Sequence, residues 1–418
     1  KPVTSIGEKA FWGCRSLTSV TIPDSVIYIG NWAFRDCSRL TFVTIPDSVT
    51  NIGKWAFYYC SRLTSVTIPD SVTFIGGNAF EGCIRLESVT IPESVTSRIG
   101  EWTFGRCSSL TNVTIPDSVT SIAAHAFDRC SSLTSVTIGN SVTTIGGKAF
   151  VNCSSLTSVT IPDSVTSIGH LAFAGCRSLA SMTFPESLTY IAGNAFKGCA
   201  ALTGITFPES LNSIGGSAFY GCTGLTDLTL PTKLSSIGAS AFRECSGLTS
   251  LNIPEPVISI ADHAFRDCGG LREVRLGKSV ASIGSYAFSG CTQLKELEIP
   301  DAVTILGAGA FASCKSLEAV SIPPELTHGI YTSPTSSEGA TLSQFFGCSA
   351  VKTVTIKTPA VTPVFTDWID NDRLKTNAVS KIIFSEGVND IGDRSFKNKS
   401  SLLTVVFPES ATRIGNLA

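Results

Sequence analysis

The stretch Cys130–Ile145, CSSLTSVTIGNSVTTI, completed by GGKAFVNC through Cys153, decides the fold, because nearly all the rest of the chain repeats it. The cysteines mark the period: Cys14, Cys37, Cys60 and Cys83, then Cys107, Cys130, Cys153 and onward to Cys314, fall 23 residues apart, with one slip of a residue near Arg98. From Cys314 to Cys348 the step is 34 residues, one period plus an 11-residue insertion. A unit this short cannot bury its own apolar face, so successive units must stack to make a core.

Within a cycle, Leu133, Val136 and Ile138 have the spacing of a short strand whose alternate residues point inward, leaving Ser135 and Thr137 outside. Pro162 and Asp163 end the ladder, since proline has no N–H to donate and aspartate bonds nearby backbone amides. Gly169 is expected to permit a tight bend, after which Ala172 and Phe173 turn inward. Phe11, Phe34, Phe57 and Phe80 should stack as a spine.

These residues, above all the recurring IPDSVTSIG..AF..C, resemble the BspA-like class of leucine-rich repeats. The resemblance covers almost the whole chain and implies a right-handed solenoid with one short parallel β-strand per turn and little regular helix. For 418 residues it implies about 17 turns. It further implies a surface protein that binds protein or matrix, although members of the family differ in role.

One elongated domain over 1–418 is expected, because a stacked array extends its core with each turn. The rhythm breaks at 328–344, which should project as a loop, and 357–380 keeps the length of a repeat while losing its cysteine, so it reads as a degenerate turn. A net charge of −2 supplies no long-range field for nucleic acid, and no apolar run approaches the length of a membrane span. Neither end carries a polar cap, so the native polypeptide is expected to continue, or to dock in a larger assembly.

Fifteen evenly spaced cysteines read as buried, reduced, small apolar residues; bridges between turns or a bound metal are the alternatives. An odd count and neighbours that do not alternate argue against pairwise bridging. His125, His170, His263 and His328 have no metal-ligand spacing. Asp24, Asp47, Asp70, Glu93, Asp117 and Asp163 form an acidic column that reads as solvent-facing turn residues, with bound calcium as the alternative. No nucleophile elbow, phosphate loop or dinucleotide fingerprint appears, so no enzyme and no cofactor are expected.

Two departures from the repeat are candidate binding features. The outward strand columns, Ser/Thr in the early turns, become Glu273/Arg275 and Glu296/Glu298, with Arg272 and Lys295 beside them. Either exposed positions have drifted, or these six residues form a patch that recognises a protein. The second departure is Trp32, Trp55 and Trp102, which share one position of the cycle near Trp12, Tyr58 and Tyr59. They pack locally over the spine, or present an interface to protein or sugar. The expected function is a non-catalytic interaction or structural element at the cell surface or outside the cell. A glycan- or matrix-binding adhesin and an ice- or mineral-binding surface of Ser/Thr columns are the alternatives.

Overall fold

A computed structural model describes residues 2–323, 326, 344–345, 347–357, 379–391, 396 and 401–415. Of the inserted loop expected at 328–344, residues 328–343 lie outside the described residues, as do 358–378 of the degenerate turn expected at 357–380. The chain divides into two compact units, Lys1–Ser210 and Leu211–Ala418.

In the first unit each turn contributes two short parallel strands. The expected one is typified by Ser135–Ile138, which pairs residue for residue with Asn112–Ile115 before it and Ser158–Thr160 after it. Its side chains alternate as the sequence demands, with Val136 and Ile138 buried and Ser135 and Thr137 exposed. The other strand was not expected. Two residues of the T-S-I-G segment, as in Ser121–Ile122, Thr144–Ile145 and Ser167–Ile168, form a second parallel ladder with the isoleucines stacked inside. The second unit repeats this plan: Ser250–Asn252 pairs with Glu273–Arg275, Glu296–Glu298 with Ala319–Ile322, and Ser259–Ile260 with Ser282–Ile283. Across the described residues sixteen strands of each kind occur. One further turn buries Leu228 and Leu230 without joining a ladder.

The third wall is built from overlapping turns rather than strands. Around Trp32, the N–H groups of Ala33, Arg35 and Cys37 bond the carbonyl three residues back. Those of Trp32, Phe34 and Asp36 bond Lys54, Ala56 and Tyr58 of the following turn. This geometry requires two left-handed residues per cycle, at Trp32 and Asp36 (φ 54° and 59°), and the same two positions recur as His125 and Arg129, and as Lys148 and Asn152. Glycine or asparagine suits such a site; a larger side chain is strained there by roughly 1–2 kcal/mol.

Glycine in the T-S-I-G segment has a different role from the expected bend. A Cβ on Gly146 would lie 2.7 Å from backbone atoms of Ala123 and Ala124, and one on Gly169 would lie 2.5 Å from the amide of Gly147. Close approach between turns is therefore the constraint, and neither residue has positive φ. Ala123, Ala192 and Ala261 fill the same position elsewhere, so the constraint is not uniform along the array.

Between the walls runs the phenylalanine spine. From Phe11 to Phe196 in the first unit successive rings stack with centroids 5.0 to 5.6 Å apart and planes within 13°. From Phe219 to Phe345 in the second the spacing is 5.3 to 5.4 Å. Each such buried ring contributes about 1.5–3 kcal/mol through area alone, with ~0.5–1.5 kcal/mol more per stacked pair.

The cysteine column lies beside the spine, and fourteen of the fifteen free cysteines are buried; Cys14 is exposed. They are more than small apolar residues. Along the column buried Sγ atoms meet the carbonyl of the phenylalanine one turn back, as Cys60 to Phe34, Cys130 to Phe104 and Cys268 to Phe242, at 3.1 to 3.2 Å. That same carbonyl also accepts the N–H of the cysteine three residues on, for example Cys37 to Phe34. The thiol thus fills the second lone pair of a buried carbonyl, which water cannot reach. Hydroxyls stitch the turns in the same way at the surface: Ser164 donates to Val142 at 2.7 Å and Thr134 to Thr111 at 2.9 Å.

Candidate partner-binding surfaces

The charged departure in the second unit sits where the outward columns change size. In the sheet register Glu296 pairs with Ala319, which pairs in turn with Thr353, while Glu298 pairs with Ser321 and Ser321 with Thr355. Long side chains on one turn beside small ones on the next leave a depression, and a groove of about 770 Å³ lies there. Its floor is Val274, Leu297 and Val320, buried strand residues, and its walls carry Glu273, Arg275, Glu296 and Glu298. A second hollow of about 330 Å³, over Leu228, Ser250 and Asn252, shares Glu273 and Arg275.

The structure thus brings together four of the six charged residues singled out from sequence. Arg272 and Lys295 are exposed at the start of their strands and do not line the groove. Three charged lining residues escaped the sequence reading: Lys278, Asp301 and Lys357. Lys357 is the informative one. Its Nζ lies 2.7 Å from Glu298 and 3.5 Å from Asp301, and it donates to the Ile299 carbonyl at 2.9 Å, with only 16 % of the side chain exposed. Fifty-eight residues separate it from Ile299, across the irregular step in the repeat, so no periodicity could have signalled the contact. Arg275 pairs with Glu273 at 2.7 Å. Both pairings are intramolecular, and no carboxylate–cation pair involves Glu296 among the described residues. The groove therefore offers a mixed lining with one carboxylate unspent.

The tryptophans of the first unit are half-buried and their faces are largely occupied. Trp32 stacks on Trp55 at 5.1 Å, with the Lys9 Nζ lying 5.0 Å from the centre of the Trp32 ring. Asn78 interrupts the column, and Trp102 stacks instead on His125 at 4.1 Å, with Arg106 5.6 Å from its ring. Trp12 is the most exposed, held by Asp36 through its Nε1 at 3.3 Å and flanked by Lys9 and Arg35. Stacking on a sugar needs a free ring face, and Trp32 and Trp102 each already carry an aromatic partner and a cation.

No arrangement among the described residues resembles a catalytic centre. His125 Nδ1 sits 2.7 Å from the buried carboxylate of Asp128, but the ring is stacked on Trp102 and no nucleophile faces the pair. His263, stacked on Tyr286, has its pKa lowered by burial and then by Arg266 and Arg243. Among the described residues no group of three His, Cys, Asp or Glu side chains is placed to hold a metal ion, and no helix is long and apolar enough to cross a membrane.

Comparison with known proteins agrees with this architecture. The model of the BspA type leucine rich repeat region matches in six copies, over residues 1–111, 97–226, 143–268, 212–333 and 334–418. A leucine-rich repeat protein from Bacteroides ovatus is 26% identical, with a TM-score of 0.55 over 92% of this chain and 88% of that one. A leucine rich cell surface protein from Faecalibacterium prausnitzii is 27% identical over 86% of this chain and 84% of that one, with a TM-score of 0.40. The leucine-rich repeat protein of T. pallidum is 36% identical over 42% of this chain and 82% of that one, with a TM-score of 0.38. The comparison with curated proteins found no match.

Proposed function

This chain belongs to the BspA type leucine-rich repeat family, and from that premise we propose that it is a non-catalytic interaction protein whose second unit engages a protein partner through the groove at Glu296. The observation that carries the reading is the groove itself. An array of near-identical turns presents a uniform surface, and only a change in the outward columns gives a partner something to recognise. Here that change creates a concavity with a buried apolar floor, a charged wall and a carboxylate left over. Arg272 and Lys295 stand at its rim, where charge steers encounter more than it holds the complex.

Site-specific photo-crosslinking tests this directly. A photoreactive residue at Glu296 or Ser321 should yield a defined protein adduct in the native host, and one at Ser135 should not. Equal adducts at all three positions would reduce the groove to ordinary surface. Charge reversal at Glu296 should then alter association rate and salt dependence with little effect on folding.

We place the protein at the cell surface or outside the cell, as the family resemblance suggests. Protease treatment of intact host cells checks the placement, since a surface protein is digested while cytoplasmic markers survive. Trp32, Trp55 and Trp102 remain a second, lateral contact in this reading, made against protein.

A further inference from the structure

A second groove, of about 490 Å³, lies on the first unit and has a different chemistry. Two rows of the cycle border it. The residue before each cysteine supplies Arg106, Arg129 and Asn152, and the residue after each cysteine supplies Ser108, Ser131, Ser154 and finally Arg177. The cysteines between the rows are buried, so the rows stand up on either side of a shallow channel that follows the direction of stacking. No carboxylate and no aromatic ring lines it.

The carboxylates that balance these arginines lie behind the wall. Glu81 and Asp128 are buried, 3.8 Å from the Arg106 Nε and 3.7 Å from the Arg129 Nε respectively. Asp128 is also shared with His125 at 2.7 Å. Arg106 is further anchored by donating to the Tyr59 hydroxyl at 2.7 Å, yet its buried Nε has no hydrogen-bond partner. Arg129 leaves 62 % of its side chain exposed, and Arg177 is exposed with no carboxylate paired to it among the described residues. The anchoring fixes one arginine in place while the other two retain donors for a ligand.

We propose that this channel binds an acidic polysaccharide, bearing sulfate or carboxylate groups along an extended chain. The rise between turns, seen in the 5.2 Å spacing of Phe127 and Phe150, is close to the length of one sugar ring, so charges carried ring by ring meet successive turns. The hydroxyls of Ser108, Ser131 and Ser154 already donate to the carbonyls of Ile84, Ser108 and Ser131, so their oxygens are left to accept from sugar hydroxyls, and the Asn152 amide borders the same channel. A single-stranded nucleic acid would want stacking platforms, and the channel has none. This site is independent of the protein-binding groove, which lies in the other unit.

Heparin is a suitable probe, measured by calorimetry on the full chain at about 50 mM and about 200 mM salt. The intact protein should bind at the lower salt and lose affinity at the higher. Arg177→Ser, which restores the serine of its own row, and Arg129→Ser, which takes it from the opposite row, should each weaken binding on the order of tenfold, from the loss of one charged hydrogen bond. An unchanged melting curve for both variants separates lost binding from lost folding, and Arg272→Ser with Lys295→Ser should leave heparin affinity intact. Absence of binding at low salt, full affinity in the Arg129/Arg177 double variant, or equal binding of neutral dextran would overturn the proposal. Tighter binding of single-stranded DNA than of heparin would overturn the assignment to a polysaccharide.

Discussion

Raising the pH should dismantle this protein through its thiols. Burial pushes Cys176 up to about 12 and raises Cys60, Cys83, Cys107, Cys130, Cys153, Cys245, Cys268 and Cys291 far above the ordinary value of 9.0. Because the folded values are raised, the stability these groups contribute is fully present below pH 9 and is lost as pH climbs towards the folded values. Over that window the unfolded chain ionises and the folded chain cannot. Each thiol costs about 0.4 kcal/mol at pH 9 and about 1.4 kcal/mol at pH 10, set by the unfolded value alone. Nine together cost about 4 kcal/mol at pH 9 and about 13 kcal/mol at pH 10, comparable with the whole stability of an ordinary domain. Denaturant titrations in reductant at pH 7, 9 and 10, with calorimetry in two buffers of different ionisation enthalpy, would read both stability and proton release. Unfolding at pH 10 should release about eight protons from these thiols, close to nine-tenths of each. A midpoint that holds to pH 10, or proton release no greater than at pH 7, would refute the account and imply that the sulfurs are bridged.

Other expectations concern single positions. A thiol reagent should find one reactive cysteine, Cys14, in the native protein, and fifteen after denaturation without reductant. Lys148 sits at φ 58°, so Lys148→Asn should raise stability by roughly 0.5–1 kcal/mol, read as a higher melting temperature; a drop would show that its contacts outweigh the strain. Gly146→Val places carbon atoms against the Ala123–Ala124 backbone and should cost about 1–3 kcal/mol in a chemical denaturation series, whereas a neutral result would mean the turns separate freely. Acrylamide should quench Trp12 more readily than Trp32 or Trp55 in single-tryptophan variants, because Trp12 is half-exposed and the other two cover one another.

The parts of the fold legible in the sequence are those enforced once per turn by side-chain type. Val136 and Ile138 alternate with Ser135 and Thr137 and so declare a strand, and the phenylalanines recur too regularly to do anything but stack. The second ladder was hidden because Thr144–Ile145 is only two residues long, too short for alternation to register. The left-handed positions were hidden because tryptophan, histidine and lysine occupy them where glycine or asparagine is the usual sign. The cysteines announced their burial by spacing, but their donation to Phe carbonyls needs the neighbouring turn in place. Of the candidate sites, Glu296 and Glu298 stood out as breaks in a column, whereas Lys357 reaches Glu298 from across the insertion. Arg177 joins Arg129 only when turns are stacked.

The turn-built wall is electrically directional. In it the N–H groups of Trp32, Phe34 and Asp36 all point towards the next turn, and the carbonyls they meet all point back. Within this wall peptide dipoles of about 3.5 D each therefore add along the stacking direction, with the positive end facing the C-terminal side, whereas the amides of Thr41 and Gly53, outside it, point back to Thr18 and Ile29. The thiols of the cysteine column point the opposite way, from each turn to the one before, and oppose this polarity from within. A lysine gained near the N-terminal side of this wall should thus be better tolerated than the same lysine near its C-terminal side, even where the two turns are otherwise alike.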